Sequence, residues 1–87
     1  YGLAPQMRRS SSSIATNIAE GCGRNSAADF ARFLQIAISS ASELEYQTQL
    51  VYDLEIISNE DFSKLSNGVI QIKKMLTKYI QKLTAEY

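Results

Sequence analysis

The last third of the sequence repeats apolar residues in steps of three and four, and this spacing constrains the fold more than any other feature. The repeat consists of Phe62, Leu65, Val69, Ile72, Leu76, Tyr79 and Leu83. Residues three and four apart lie on one face of an α-helix, and three heptads of this kind are typical of the seam of a helical bundle or coiled coil. No run of β-branched alternation occurs elsewhere in the chain. We therefore predict an all-α fold.

Helix one is predicted over about residues 4–20. Pro5 suits the first turn of a helix, because an amide there has no partner within the helix. Gly21 and Gly23 follow the predicted end, as glycines often do. The apolar stripe of this helix consists of Leu3, Met7, Ile14 and Ile18, with Ser11 in the slot between Met7 and Ile14.

Helices two and three are predicted over about residues 27–57 and 60–85. Ser26 and Asp29 form a start that resembles a capping box, and Ser58 precedes helix three in the same way. Apolar residues cover so wide an arc of helix two that it needs more than one neighbour. Helix one is too short to cover the remainder, so we expect a further helix or another subunit to do so.

Size and composition predict a single helical-bundle domain over residues 1–87, because 45% of the 87 residues are hydrophobic. One cysteine cannot form an internal disulfide and fits a reducing cytoplasm. The sequence has neither a signal-peptide pattern nor an apolar run near the roughly 20 residues of a membrane span. We therefore expect a cytoplasmic protein without membrane contact.

Catalysis is not expected, because the chain has no histidine to act as a general base or as a metal ligand. Cys22 has no partner base and is interpreted as a small hydrophobic residue, buried at least in part. Glu43 and Glu45 are two residues apart on a helix and point away from each other. We predict no enzyme activity, no metal, no cofactor and no small-molecule substrate.

Charges are segregated along the chain, although the net charge is zero. Residues 1–32 carry +2, residues 33–61 carry −6 and residues 62–87 carry +4. Basic residues that could contact a nucleic-acid backbone are Arg8, Arg9, Arg24, Arg32, Lys74, Lys78 and Lys82. The alternative is that they form solvated faces, as charges on amphipathic helices usually do. The tyrosines do not interleave with these bases closely enough to predict base stacking.

A row of polar residues follows one face of helix one, beside its apolar stripe. The row contains Arg9, Ser13, Asn17, Glu20 and Arg24, in steps of four, four, three and four. Two interpretations are open: a solvated edge with an exposed Glu20–Arg24 pair, or a hydrogen-bonded seam at a helix or subunit interface. Glu43 is a candidate for the same interface, because it could accept hydrogen bonds from arginine or serine.

The polar row lies within a longer pattern that resembles a known family. The segments that carry the resemblance are Tyr1-Gly2-Leu3, Gln6-Met7-Arg8-Arg9-Ser10, Ser13-Ile14, Asn17-Ile18-Ala19-Glu20-Gly21, Gly23-Arg24, Phe30, Phe33-Leu34, Ala37, Ser40 and Glu43-Leu44. Together they resemble the signature of the four-helix-bundle 23S rRNA-intervening-sequence proteins. Relatives of that family include the accessory variability determinant of diversity-generating retroelements.

The resemblance implies an up-down four-helix bundle with three helices in this chain and the family's first helix missing before Tyr1. It implies a ring-shaped homopentamer, and it favours the seam interpretation of the polar row. The retroelement relatives bind nucleic acid and a reverse transcriptase through basic surfaces, whereas this chain is neutral overall. We therefore expect a non-enzymatic homo-oligomeric scaffold that binds an RNA, DNA or protein partner. The alternative is a purely structural oligomer without nucleic-acid contact.

Overall fold

A computed structural model of the chain describes residues 2–85, which form three α-helices and no strand. Helix α1 spans Leu3–Cys22, α2 spans Ala27–Asp53 and α3 spans Asn59–Thr84. The links between them are short, so consecutive helices run antiparallel. The prediction of an all-α fold is confirmed.

Serine side chains begin two of the helices, as predicted. The Oγ atom of Ser26 accepts a hydrogen bond of 3.1 Å from the backbone N–H of Asp29 at the start of α2. The Oγ atom of Ser58 accepts one of 3.0 Å from the N–H of Asp61 at the start of α3. Each bond satisfies a backbone donor that the helix itself leaves unpaired, which is worth about 1 kcal/mol.

Helix α2 ends four residues before the predicted end at residue 57. Glu55 has a φ of 61°, in the left-handed region, and this conformation stops the helix. The backbone N–H groups of Glu55 and Ile56 then donate to the carbonyls of Tyr52 and Val51, each at 2.9 Å. These two bonds are the Schellman pattern, which usually has glycine in the left-handed position. The apolar spacing of the sequence continues through this break and therefore does not reveal it.

Helix α1 extends two residues beyond the predicted end at residue 20. Gly21 lies inside the last turn and is buried. A Cβ atom at this position would lie 2.7 Å from Cδ1 of Phe30 and 3.1 Å from Cβ of Phe33. The glycine therefore lets the end of α1 pack against the first turns of α2.

Helix α2 is central, with α1 and α3 packed against it. No Cα atom of α1 comes within 8 Å of a Cα atom of α3, and the Cα atoms extend over 46 × 21 × 13 Å. The buried core cluster takes Ile14 from α1, Val69 and Leu76 from α3, and three residues from α2. The residues from α2 are Leu34, Ala37 and Ala41, all fully buried. Two alanines among these three allow the neighbouring helices to approach α2 closely.

Candidate assembly and nucleic-acid surfaces

The face of α1 that carries the polar row forms two hydrogen bonds to α2, one from Ser13 of the row and one from the neighbouring Ser10. The Oγ atoms of Ser13 and Ser40 share a hydrogen bond of 2.7 Å, and Ser10 Oγ donates to Glu43 Oε1 at 3.2 Å. Ser10 is buried, whereas Ser11, which was predicted to lie in the apolar stripe, is exposed. That prediction was wrong because the face of α1 that packs against α2 is rotated by one residue toward the polar row. This face contains Ser10 and not Ser11.

Three other members of the row, Asn17, Glu20 and Arg24, form hydrogen bonds with row members four residues away in sequence. The amide nitrogen of Asn17 donates to the backbone carbonyl of Ser13 at 2.8 Å and to its Oγ atom at 3.1 Å. Glu20 accepts a hydrogen bond of 2.9 Å from Arg24, and both side chains are substantially exposed. Asn17 therefore orients the Ser13 hydroxyl toward α2, whereas the Glu20–Arg24 pair is a surface interaction worth at most about 0.5 kcal/mol.

The two arginines near the link between α1 and α2 are held by carboxylates and by one aromatic ring. Arg32 pairs with Asp29 at 2.9 Å, and Arg24 lies 3.9 Å from the same carboxylate. Both guanidinium carbons lie 4.5 Å from the centre of the Phe33 ring. Glu20 and Asp29 balance the two positive charges, so a phosphate would have to compete with carboxylates already in place.

Arg8 and Arg9 differ from that pair, because both are exposed and neither forms an ion pair within the described part of the chain. Arg9 lines a groove of about 320 Å³ between α1 and α2, whereas Arg8 does not. The groove is lined by Gln6, Arg9, Ser10, Ser13, Glu43 and Gln47. Arg9 and Glu43 thus place opposite charges at one groove.

Gln47 is a residue of this groove that the sequence indicated only indirectly, through its helical row with Ile36, Ser40 and Glu43. Only 6% of Gln47 is exposed. Its Oε1 atom is buried, and it has no hydrogen-bond partner among residues 2–85. A buried amide without a partner is unfavourable by about 1–3 kcal/mol, which makes this position unusual in the fold.

One of the five lysines of α3 has a carboxylate partner, and the other four, Lys64 and the row Lys74, Lys78 and Lys82, have none among residues 2–85. Lys73 donates to Glu45 Oε1 at 2.8 Å across the contact between α2 and α3. Lys74, Lys78 and Lys82 are exposed and have no acid within 4.0 Å in the described chain. Successive members are four residues apart, which is roughly 6 Å along a helix.

An aromatic side chain lines the same surface hollow as two of these lysines. Tyr79 is 47% exposed and lines a surface hollow together with Met75, Lys78 and Lys82. Its ring is held edge-on against Phe30, with centroids 5.3 Å apart. Tyr79 therefore offers a fixed, half-exposed ring within the lysine row.

The described residues contain no group of three side chains arranged to hold a metal ion. Cys22 is a free thiol and is exposed, so its interpretation as a buried or partly buried residue was wrong. It is the last residue of α1. None of the described helices is long and apolar enough to cross a membrane.

Comparison with known proteins identifies the family. A family model described as 23S rRNA-intervening sequence protein matches residues 1–78. A crystal structure of a protein of unknown function from the S23 ribosomal protein family of Bacteroides thetaiotaomicron has 34% sequence identity and a TM-score of 0.90. The match covers 93% of this chain and 72% of that one. A search of curated proteins gives no match. The chain belongs to the 23S rRNA-intervening sequence protein family.

Proposed function

We propose that this protein is a non-enzymatic homo-oligomeric scaffold in which the three helices form part of a four-helix bundle. The observation that carries the proposal is that α1 and α3 have no Cα atoms within 8 Å of each other. The space between these two helices is therefore open on one side of α2. On α3, the apolar side chain of Leu65 remains half exposed, with an exposed fraction of 45%. We propose that a fourth helix, which the family resemblance implies, covers this side.

Assembly into a ring-shaped homopentamer is the oligomeric state that we propose. The support is a large amount of exposed apolar side chain in a small chain, including Tyr46 at 68%, Ile56 at 64% and Leu54 at 56%. Domains of this size commonly gain stability by association, because a single small core supplies little. The net charge of zero also means that copies do not repel one another over long distances.

Contact with a nucleic-acid backbone is the partner interaction that the charges favour. Three unpaired lysines follow one face of α3, and Tyr79 provides a ring on which a base could stack. In a ring the lysine row is repeated in each copy, which multiplies the number of phosphate contacts. A protein partner, and an assembly that touches no nucleic acid, remain the competing proposals.

The test is binding of a labelled structured RNA, measured by fluorescence anisotropy at several salt concentrations. We expect affinity to fall steeply with salt, because each phosphate contact releases counterions. A variant with Lys74, Lys78 and Lys82 changed to Gln should lose most of the salt dependence, with the slope reduced by about one for each lost contact. The matched control changes Arg24 and Arg32 to Gln, and it should bind almost normally. Equal binding by all proteins would mean that RNA binds outside the lysine row, and no binding by any of them would favour a scaffold without nucleic-acid contact.

A further inference from the structure

The groove between α1 and α2 has polar groups that the chain itself leaves incompletely bonded. Gln47 is 94% buried at this groove, since 6% of it is exposed, and its Oε1 atom lacks a donor within residues 2–85. Glu43 accepts from the Ser10 hydroxyl and forms no ion pair among the described side chains. Glu43 is exposed and presents acceptor oxygens at the groove, whereas Gln47 Oε1 is buried below its surface, so Glu43 is the group suited to an incoming N–H donor.

The same groove carries such a donor group on its other side. Arg9 is exposed, and its guanidinium has five N–H donors and no acid within 4.0 Å in the part of the chain that the structure describes. Arg9 and Glu43 line one groove without pairing to each other. A second copy placed groove to groove would bring its own Arg9 to this Glu43, and its own Glu43 to this Arg9. The surface is therefore complementary in charge to itself.

The row of α2 residues that borders the groove has the spacing of a helix-packing seam. It continues in steps of four and three through Ile36, Ser40, Glu43, Gln47, Leu50 and Leu54. The apolar residues at its ends are partly uncovered, with Ile36 38% and Leu54 56% exposed. Polar residues at the centre of such a seam fix the register of two packed helices, while apolar residues supply contact area. The short serines on the groove floor allow a neighbour to approach closely.

We propose that this groove is a contact between two copies of the chain, in which Arg9 of each copy donates to Glu43 of the other. The contact is isologous, because the same surface serves both copies. It joins copies in pairs, and so it acts in addition to the contact that would close a ring. The inference goes beyond the proposed function and does not depend on a pentamer or on nucleic acid.

The test reverses one charge at a time and then combines the two reversed proteins. Arg9→Glu and Glu43→Arg should each weaken pairwise association about tenfold or more, because each places like charges opposite one another. An equimolar mixture of the two variants, carrying different tags, should associate again as heterodimeric pairs. Arg8→Glu is the matched control, since Arg8 is an exposed neighbour that does not line the groove. Native mass spectrometry gives the composition of each species, and circular dichroism verifies that each variant is folded.

Recovery of mixed pairs supports the contact, because an effect within one chain cannot be repaired by a second chain. The proposal is overturned if the single variants associate like the wild type, or if the mixture fails to recover. It is also overturned if the groove variants change RNA binding and leave association unchanged, which would make Arg9 a phosphate contact. Rings that persist in both variants but no longer join in pairs would support the paired contact, whereas rings that still join in pairs in both variants would contradict it and leave the proposed pentamer intact. Pairs without any larger assembly would contradict the pentamer alone.

Discussion

The close approach of α1 and α2 at Gly21 leads to a prediction about stability. In Gly21→Ala, the new methyl group would lie 2.7 Å from Cδ1 and 3.0 Å from Cε1 of Phe30, and 3.1 Å from Cβ of Phe33. The Phe33 Cβ atom is fixed to the backbone of α2. The Phe30 ring is held edge-on by Tyr79. Neither group can move away without disturbing other packing, so the two helices must separate at this end.

The expected loss follows from two opposing effects. Overpacking of a well-packed site destabilises by about 1–3 kcal/mol. Alanine is a better helix former than glycine by about 1 kcal/mol, which offsets part of that loss. The net loss is therefore about 1 kcal/mol, equivalent to a fall of about 4–8 °C in melting temperature for a domain of this size.

Gly68→Ala provides the matched control. Gly68 lies in the middle of α3, and no atom lies within 4 Å of a Cβ atom built at this position. The helix-forming gain of alanine should therefore appear alone, as a stabilisation of about 1 kcal/mol. Guanidinium denaturation followed by circular dichroism, at one protein concentration for all variants, measures both changes. If Gly21→Ala is as stabilising as Gly68→Ala, the close approach of α1 to the two phenylalanines is wrong.

Three further substitutions test local features by the same denaturation assay. Glu55→Gly should stabilise by about 0.5–1 kcal/mol, because it relieves the left-handed backbone that ends α2; a loss would contradict the Schellman ending. Leu34→Ala should destabilise by about 3 kcal/mol, because Leu34 is fully buried, and a loss below about 1 kcal/mol would argue against this core. Ser13→Ala should lower the free energy of unfolding by about 1 kcal/mol more than Ser12→Ala, because Ser13 bonds to Ser40 and Ser12 is exposed on the same helix. Equal losses would contradict the hydrogen bond between Ser13 and Ser40.

Helical periodicity and capping residues are local properties, which is why the fold class and two helix starts could be predicted from the sequence. The serines at positions 26 and 58 bond as their spacing to Asp29 and Asp61 indicates. The end of α2 could not be predicted in this way. Its apolar spacing continues past Glu55, and only the requirement to reverse the chain toward α3 places a glutamate in a left-handed conformation.

The polar row illustrates a different limit of sequence reasoning. Spacing identified the face that contains Ser13, but it placed Ser11, and not Ser10, among the inward residues. Adjacent residues of an α-helix are about 100° apart around the helix axis. The position of the neighbouring helix decides which of two adjacent serines is buried. The approach of Arg24 to Phe33 and Asp29 likewise depends on tertiary structure, because it crosses the link between α1 and α2, whereas the Arg32–Asp29 pair is local to α2. The proposed roles of these surface residues in assembly and binding stay predictions.

Light scattering on the size-exclusion peak of the full-length protein, with and without a labelled structured RNA, tests the proposed scaffold most directly. We predict a mass of several protomers, with five times the protomer mass for the ring, and RNA that co-elutes at low salt and separates as salt is raised. For this chain alone the protomer mass is 9.7 kDa. A multimer that does not bind RNA would support a scaffold that interacts only with proteins. A monomer at all concentrations and salt conditions would contradict the scaffold itself.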